Sequence, residues 1–207
     1  MYVIGLTGGI GSGKSTVAKV LEEEGAAVLS ADLLGHEVYL PGKPAYDEII
    51  EAFGREVVAE DGTIDRKKLG PIVFSDPANL AKLNAITHPR LKDMMRKRLA
   101  EISRQGVEYA VLEAALLFDA GWDDLADEVW VTVAAAQVAA ERTSARSGIP
   151  VEQVLERIQK AQMESDERVR RSDVVIDTGG TMEQTVERAR AAWTAMRARV
   201  EGEKRTP

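Results

Sequence analysis

The chain has 207 residues, a formal net charge of −7 and no cysteine, which suits one α/β domain with an insertion and excludes disulfides and thiolate metal sites. With His36 and His88 as its only histidines, it lacks the means for a histidine-rich zinc site, and its acidic balance speaks against a general nucleic-acid binder. No apolar stretch reaches the length of a membrane span and Met1 leads straight into the first predicted strand, so a cytoplasmic location without membrane contact is expected.

Tyr2-Val3-Ile4-Gly5-Leu6-Thr7 is a short, apolar, partly β-branched run suited to a buried parallel strand. It leads into Gly8-Gly9-Ile10-Gly11-Ser12-Gly13-Lys14-Ser15, the G-x-x-x-x-G-K-[ST] pattern of a phosphate-binding P-loop. Glycines let consecutive backbone N–H groups turn onto a triphosphate where side chains would block it. Lys14 supplies charge for the β- and γ-phosphates, and the Ser15 hydroxyl is a ligand for Mg²⁺. Val17, Val20 and Leu21 then recur at helical spacing up to Gly25. Strand, loop and helix together define a nucleoside-triphosphate site at a helix N-terminus.

A second strand is expected at 26–30, followed by Ala31-Asp32-Leu33-Leu34-Gly35-His36. From Pro41 the texture becomes helical. Tyr46, Ile49, Ile50 and Phe53 form one stripe; Asp61-Gly62 signals a turn; Asp65 is a candidate N-cap before Leu69, Ile72 and Val73. Leu80, Leu83 and Ile86 form another stripe with a break expected at His88-Pro89, and Leu91, Met94, Met95, Leu99 and Ile102 a longer one. Strands return at 109–113, 128–133 and 173–177, separated by helical regions at 137–146 and 151–171 and followed by a helix carrying Val186, Ala189 and Trp193. The pattern predicts an α/β fold: a P-loop core over 1–40 and 106–200, a helical insertion over 41–105 and a flexible tail over 201–207.

Asp32 lies just past the second strand, as the P-loop lies just past the first, and in open α/β sheets ligands sit beyond the carboxyl ends of strands. A carboxylate there suits either a general base for an attacking hydroxyl or a cap for the next helix. His36, four residues on, shares its helical face. Glu113 closes an apolar run, the place of a carboxylate that holds Mg²⁺ directly or through water. Arg142 and Arg146 are spaced to share a helix face, either as a phosphate clamp or as a solvated charged surface.

Over nearly its whole length the chain resembles the dephospho-CoA kinases. The resemblance rests on Ile4 through Thr16, on Ser30-Ala31-Asp32, on Asp61-Gly62-Thr63-Ile64-Asp65-Arg66, on Val73-Phe74 and on Leu83-Asn84-Ala85-Ile86-Thr87-His88-Pro89. Leu116-Leu117-Phe118-Asp119 and Asp173-Val174-Val175-Ile176-Asp177 extend it. It implies a five-stranded parallel sheet of order 2-3-1-4-5, a helical domain for the CoA-type substrate with His36 and His88 near it, and a helical lid within about 137–171 that includes Gln162. It implies Asp32, Lys14 and Arg142 as catalytic residues, and Gly9, Gly11, Ser12, Gly13, Lys14, Ser15, Thr16, Arg146 and Gly179 around ATP. Ser15 and Glu113 would position Mg²⁺. Ala115 stands where the family usually has proline. Thr178 stands where it usually has asparagine, near the expected adenine, which leaves the Gly179-Gly180 backbone to meet the base and predicts weaker ATP-over-GTP discrimination than an asparagine would give.

The activity implied is ATP-dependent phosphorylation of the ribose 3′-hydroxyl of dephospho-CoA, by a monomer or weak homo-oligomer. Another small hydroxyl acceptor, such as a nucleoside monophosphate, is the alternative. A regulatory GTPase is excluded by the absence of an N-K-x-D motif: Asn79 and Asn84 are followed by Leu80 and Ala85.

Overall fold

The computed structural model describes residues 1–203, with side chains described for all but 161–165. Its elements are β1 (Tyr2–Gly8), α1 (Lys14–Glu23), β2 (Ala27–Ser30), α2 (Ala31–Glu37), α3 (Pro44–Phe53), α4 (Arg66–Phe74) and α5 (Pro77–Arg104). After these come β3 (Tyr109–Glu113), β4 (Glu128–Val133), α6 (Ala136–Ser147), α7 (Val151–Arg171), β5 (Val174–Asp177) and α8 (Met182–Glu203). The tail expected from Glu201 begins inside α8, and residues 204–207 lie outside the described residues.

The chain divides into two compact units, Met1–Leu29 with Ile102–Pro207, and Ser30–Glu101. The second begins earlier than the helical insertion expected at residue 41, since β2 turns into α2 without an intervening loop.

The first unit is built on a five-stranded parallel sheet in the order β2-β3-β1-β4-β5. Ile4 and Leu6 of β1, with Val111, Trp130 and Ile176 from the neighbouring strands, bury one sheet face against Val17, Val20 and Leu21 of α1 and Ala189, Trp193 and Met196 of α8. Trp193 meets Tyr109 edge-on, with centroids 5.2 Å apart, a favoured aromatic geometry. The register sets Leu6 opposite Glu113 and Gly8 opposite Thr132. Strand ends that carry chemistry therefore finish at one edge. α6 and α7 pack against each other.

In the second unit, Asp65 caps α4, its side chain accepting from the Lys67 and Lys68 amides. Asp61 accepts from the Thr63 amide at 2.9 Å in the predicted turn. The break predicted at His88-Pro89 does not occur: α5 runs unbroken through Pro89. Proline removes one helical donor and crowds the carbonyl four residues back, but Leu91, Met95 and Leu99 are buried beyond it. The Arg90 guanidinium donates to the Ile86 carbonyl at 2.9 Å, supplying a hydrogen bond next to the gap. Packing and this side-chain donor outweigh the local break signal. Among the described residues no helix is long and apolar enough to cross a membrane.

Candidate active site

Between β1 and α1 the loop takes a course open only to glycine at two points. Gly11 has φ +67° and a β-carbon there would strike the Ala139 carbonyl of α6; Gly13, the N-cap of α1, has φ +81°. Left-handed backbone and close approach both demand the missing side chain. The loop is also held from beneath. The Ser12 and Thr132 hydroxyls lie 2.7 Å apart, and the Thr178 hydroxyl is placed to donate to the Ser12 carbonyl at 2.9 Å.

Lys14 Nζ donates to the Gly8 carbonyl at 3.0 Å, at the start of the loop. The Ser15 hydroxyl donates to Glu113 Oε1 at 3.2 Å, joining the two oxygens that the sequence assigned to a metal. Above the loop is a cavity of about 510 Å³, and Gly9, Gly11, Ser12, Gly13, Lys14, Ser15 and Thr16 all line it, with Arg142 and Arg146 from α6. Arg142 is anchored: it donates to the Thr178 carbonyl at 2.8 Å and to the Gly180 carbonyl at 3.2 Å. Gly179 is not among the lining residues; its amide donates to Asp177 Oδ1 at 2.8 Å.

Thr178 departs from expectation. It is 1% exposed, with its side chain under the loop, so it does not face a nucleotide base.

Asp32, His36 and His88 belong to the second unit and Gln162 to the first. Asp32 is exposed in the first turn of α2. Ser30 is the N-cap, and among the described residues the Asp32 carboxylate has no hydrogen-bond partner, so it is not used as a cap. Arg66 Nη1 donates to His36 Nδ1 at 2.6 Å. His88 is half-buried within α5. Gln162 falls in the stretch whose side chains are outside the described residues.

Two residues lining the cavity, Thr143 and Arg168, were not picked out from the sequence. Arg168 of α7 is 7% exposed and pairs with Asp119 at 2.9 Å. Its signal was helical phase: Val154 and Ile158 set the inner face of α7, and Arg168 returns to that face while Arg170 and Arg171 do not.

A glycine loop at a helix N-terminus, cations converging above it and a 2-3-1-4-5 parallel sheet behind it belong to the P-loop kinases. Solved structures agree at the level of fold: a shikimate kinase from Bacteroides thetaiotaomicron superposes with a TM-score of 0.55 at 12% identity, over 95% of this chain and 98% of that one. A dephospho-CoA kinase from Campylobacter jejuni reaches 0.71 at 21% identity, covering 94% and 96%. A Thermus thermophilus crystal structure reaches 0.78 at 35% identity, covering 94% and 97%.

The sequence narrows the class. The family model for dephospho-CoA kinase matches residues 2–184. The dephospho-CoA kinase of Geobacter sulfurreducens is 46% identical over 193 residues, 93% of this chain and 98% of that protein. That of Carboxydothermus hydrogenoformans is 44% identical over 185 residues, 89% of each. The chain belongs to the dephospho-CoA kinase family.

Proposed function

We propose that this chain transfers the γ-phosphoryl group of ATP to the ribose 3′-hydroxyl of dephospho-CoA, giving CoA and ADP in the last step of coenzyme A synthesis. The observation that carries the reading is the family match across 2–184, on a chain whose P-loop lines a cavity together with Arg142 and Arg146.

The loop amides and Lys14 hold the phosphates, and Arg142 and Arg146 neutralise charge on them during transfer. Asp32 is assigned as the general base, orienting the acceptor hydroxyl and taking its proton; His36 and His88 are assigned to the acceptor. Ser15 and Glu113 offer the oxygen donors that a magnesium ion shares with substrate phosphates and water. A magnesium ion held by Ser15 and Glu113 would offset the negative charge of the phosphates during transfer. The reading places the enzyme in the cytoplasm, acting as a monomer or weak homo-oligomer.

The test is an assay of the purified protein with ATP, Mg²⁺ and a panel of hydroxyl acceptors, nucleoside monophosphates included. Transfer to dephospho-CoA is expected to exceed the others, and preference for a nucleoside monophosphate would overturn the assignment. In the same assay Asp32→Asn is expected to lower kcat by about 10²–10⁴-fold with ATP affinity retained, the usual worth of a positioned base. Transfer through a loose transition state needs little early deprotonation, so part of that loss is orientation of the acceptor. Normal turnover in the variant would place the base elsewhere.

A further inference from the structure

Among the described residues, Arg168 is the one lysine or arginine that is more than nine-tenths buried. It borders the phosphate cavity from α7, along with Gly9 and Ile10 of the loop, and it borders the smaller cavity behind the loop with the same two residues. Asp119, in the segment after β3, accepts from its Nη2 at 2.9 Å and is one-third exposed on its own side chain.

The two ends of the loop are chemically distinct. Lys14 Nζ lies at the Gly8 carbonyl, and the lysine of such a loop addresses the β- and γ-phosphates. Gly8 to Ile10 is therefore the γ-end. Arg142 is fixed at the other end, to Thr178 and Gly180, where Thr178 packs against Gly13. A triphosphate laid along the loop meets Arg142 toward one end and Arg168 toward the other.

Burying a guanidinium beside a carboxylate such as Asp119 is a poor way to brace a helix, because desolvation offsets much of the attraction. It is a good way to hold a cation ready for an anion in a water-poor site. We propose that Arg168 is a further catalytic residue of the kinase reaction, a cation that meets the γ-phosphoryl group in transfer, and that Asp119 is the residue that positions it. As the bond from γ-phosphorus to the β–γ bridging oxygen breaks and the bond to the acceptor oxygen forms, charge spreads over the equatorial oxygens and the leaving oxygen. The fork of Arg168 stabilises that charge without exchanging a proton.

The inference rests on the kinase reading, and its test keeps the two apart. Arg168→Met, Arg168→Lys and Asp119→Asn are compared with wild type for kcat with dephospho-CoA, for affinity toward ADP and a non-hydrolysable ATP analogue, and for melting temperature. Arg168→Met is expected to lose about 10²–10³-fold in kcat, in line with removal of one transition-state donor. Its ADP affinity should stay within about twofold, because ADP lacks the group that Arg168 meets. Arg168→Lys should recover part of the rate, and Asp119→Asn should lower kcat with an unchanged KM for ATP. A kcat in Arg168→Met within threefold of wild type would overturn the proposal, leaving a strut read only in the melt. Parallel loss of ADP affinity would overturn it as well. Should Arg168→Met fail to fold, Asp119→Asn and Arg168→Lys decide: unchanged kcat in both overturns it. Failure of the kinase reading looks different, as wild type would bind ADP yet transfer nothing to dephospho-CoA.

Discussion

At Thr178 a single hydroxyl lies 2.9 Å from the Ser12 carbonyl, 3.1 Å from that of Val133 and 3.4 Å from Arg142 Nη1. One proton serves the two carbonyls in turn, and the oxygen can still accept from the guanidinium. A β-carbon on Gly13 would come within 3.1–3.2 Å of three Thr178 side-chain atoms, so the threonine also fills the space under the loop. Its job is to support the phosphate loop and Arg142. Thr178→Val keeps the shape and removes the donor; it is expected to cost about 1–3 kcal/mol of stability, the toll of an unmet buried polar group. With the Thr178 side chain buried under the loop, Thr178→Asn is expected to leave the ATP-to-GTP ratio unchanged. Competition kinetics with the two nucleotides checks this: a changed ATP-to-GTP ratio in Thr178→Asn would show that position 178 reads the base after all. The family resemblance placed this residue near the adenine. Local sequence carries no trace of a contact with Ser12, which lies 166 positions away.

At the level of elements, legibility followed how local the cause was. β3 and β4 fall on the apolar runs 109–113 and 128–133, and α7 on the stretch between Pro150 and Ser172, because burial period and flanking breakers act within a few residues. The Asp65 cap and the Asp61 turn were legible for the same reason. α5 was misread at Pro89 because tertiary packing on Leu91, Met95 and Leu99 holds the helix through a residue that would end an isolated one. The Arg168–Asp119 pair spans 49 positions and was hidden among the three arginines that end α7. Pro89 therefore costs α5 a hydrogen bond that its packing tolerates. Pro89→Ala restores that donor and is expected to raise stability by up to about 3 kcal/mol, the penalty of an interior proline. Thermal and urea melts measure it. An unchanged melting point would mean that the Arg90 bond to Ile86 and its neighbours already offset the loss.

For the molecule as a whole, the sheet separates two kinds of buried polar group. Its carboxyl edge carries the P-loop, while its amino edge carries Glu128, the first residue of β4 and 5% exposed. Glu128 accepts from the Tyr2 hydroxyl at 2.9 Å and from Trp130 Nε1 at 2.7 Å, and Arg199 of α8 completes the set. A buried carboxylate is tolerable only when so surrounded. Removing the cation with Arg199→Leu is expected to cost about 1–3 kcal/mol, chiefly through the charge left buried on Glu128. Tyr2 gives the pH signature of the same cluster. Burial first, and then its bond to Glu128, push the phenol above its ordinary 10.0, with Arg199 working the other way. A raised folded value means that the native state keeps the proton after the unfolded chain has begun to lose it. The contribution to stability is complete below pH 10 and declines as pH rises through the folded value. Tyr2→Phe removes a group that titrates, so its stability should fall less steeply above pH 10 than that of wild type, although it is the less stable protein at pH 7. Urea denaturation from pH 8 to 11 tests this, and parallel curves for the two proteins would show that Tyr2 titrates alike folded and unfolded. In both proteins kcat at neutral pH should match, because Tyr2 begins β1 and the P-loop follows the other end of that strand.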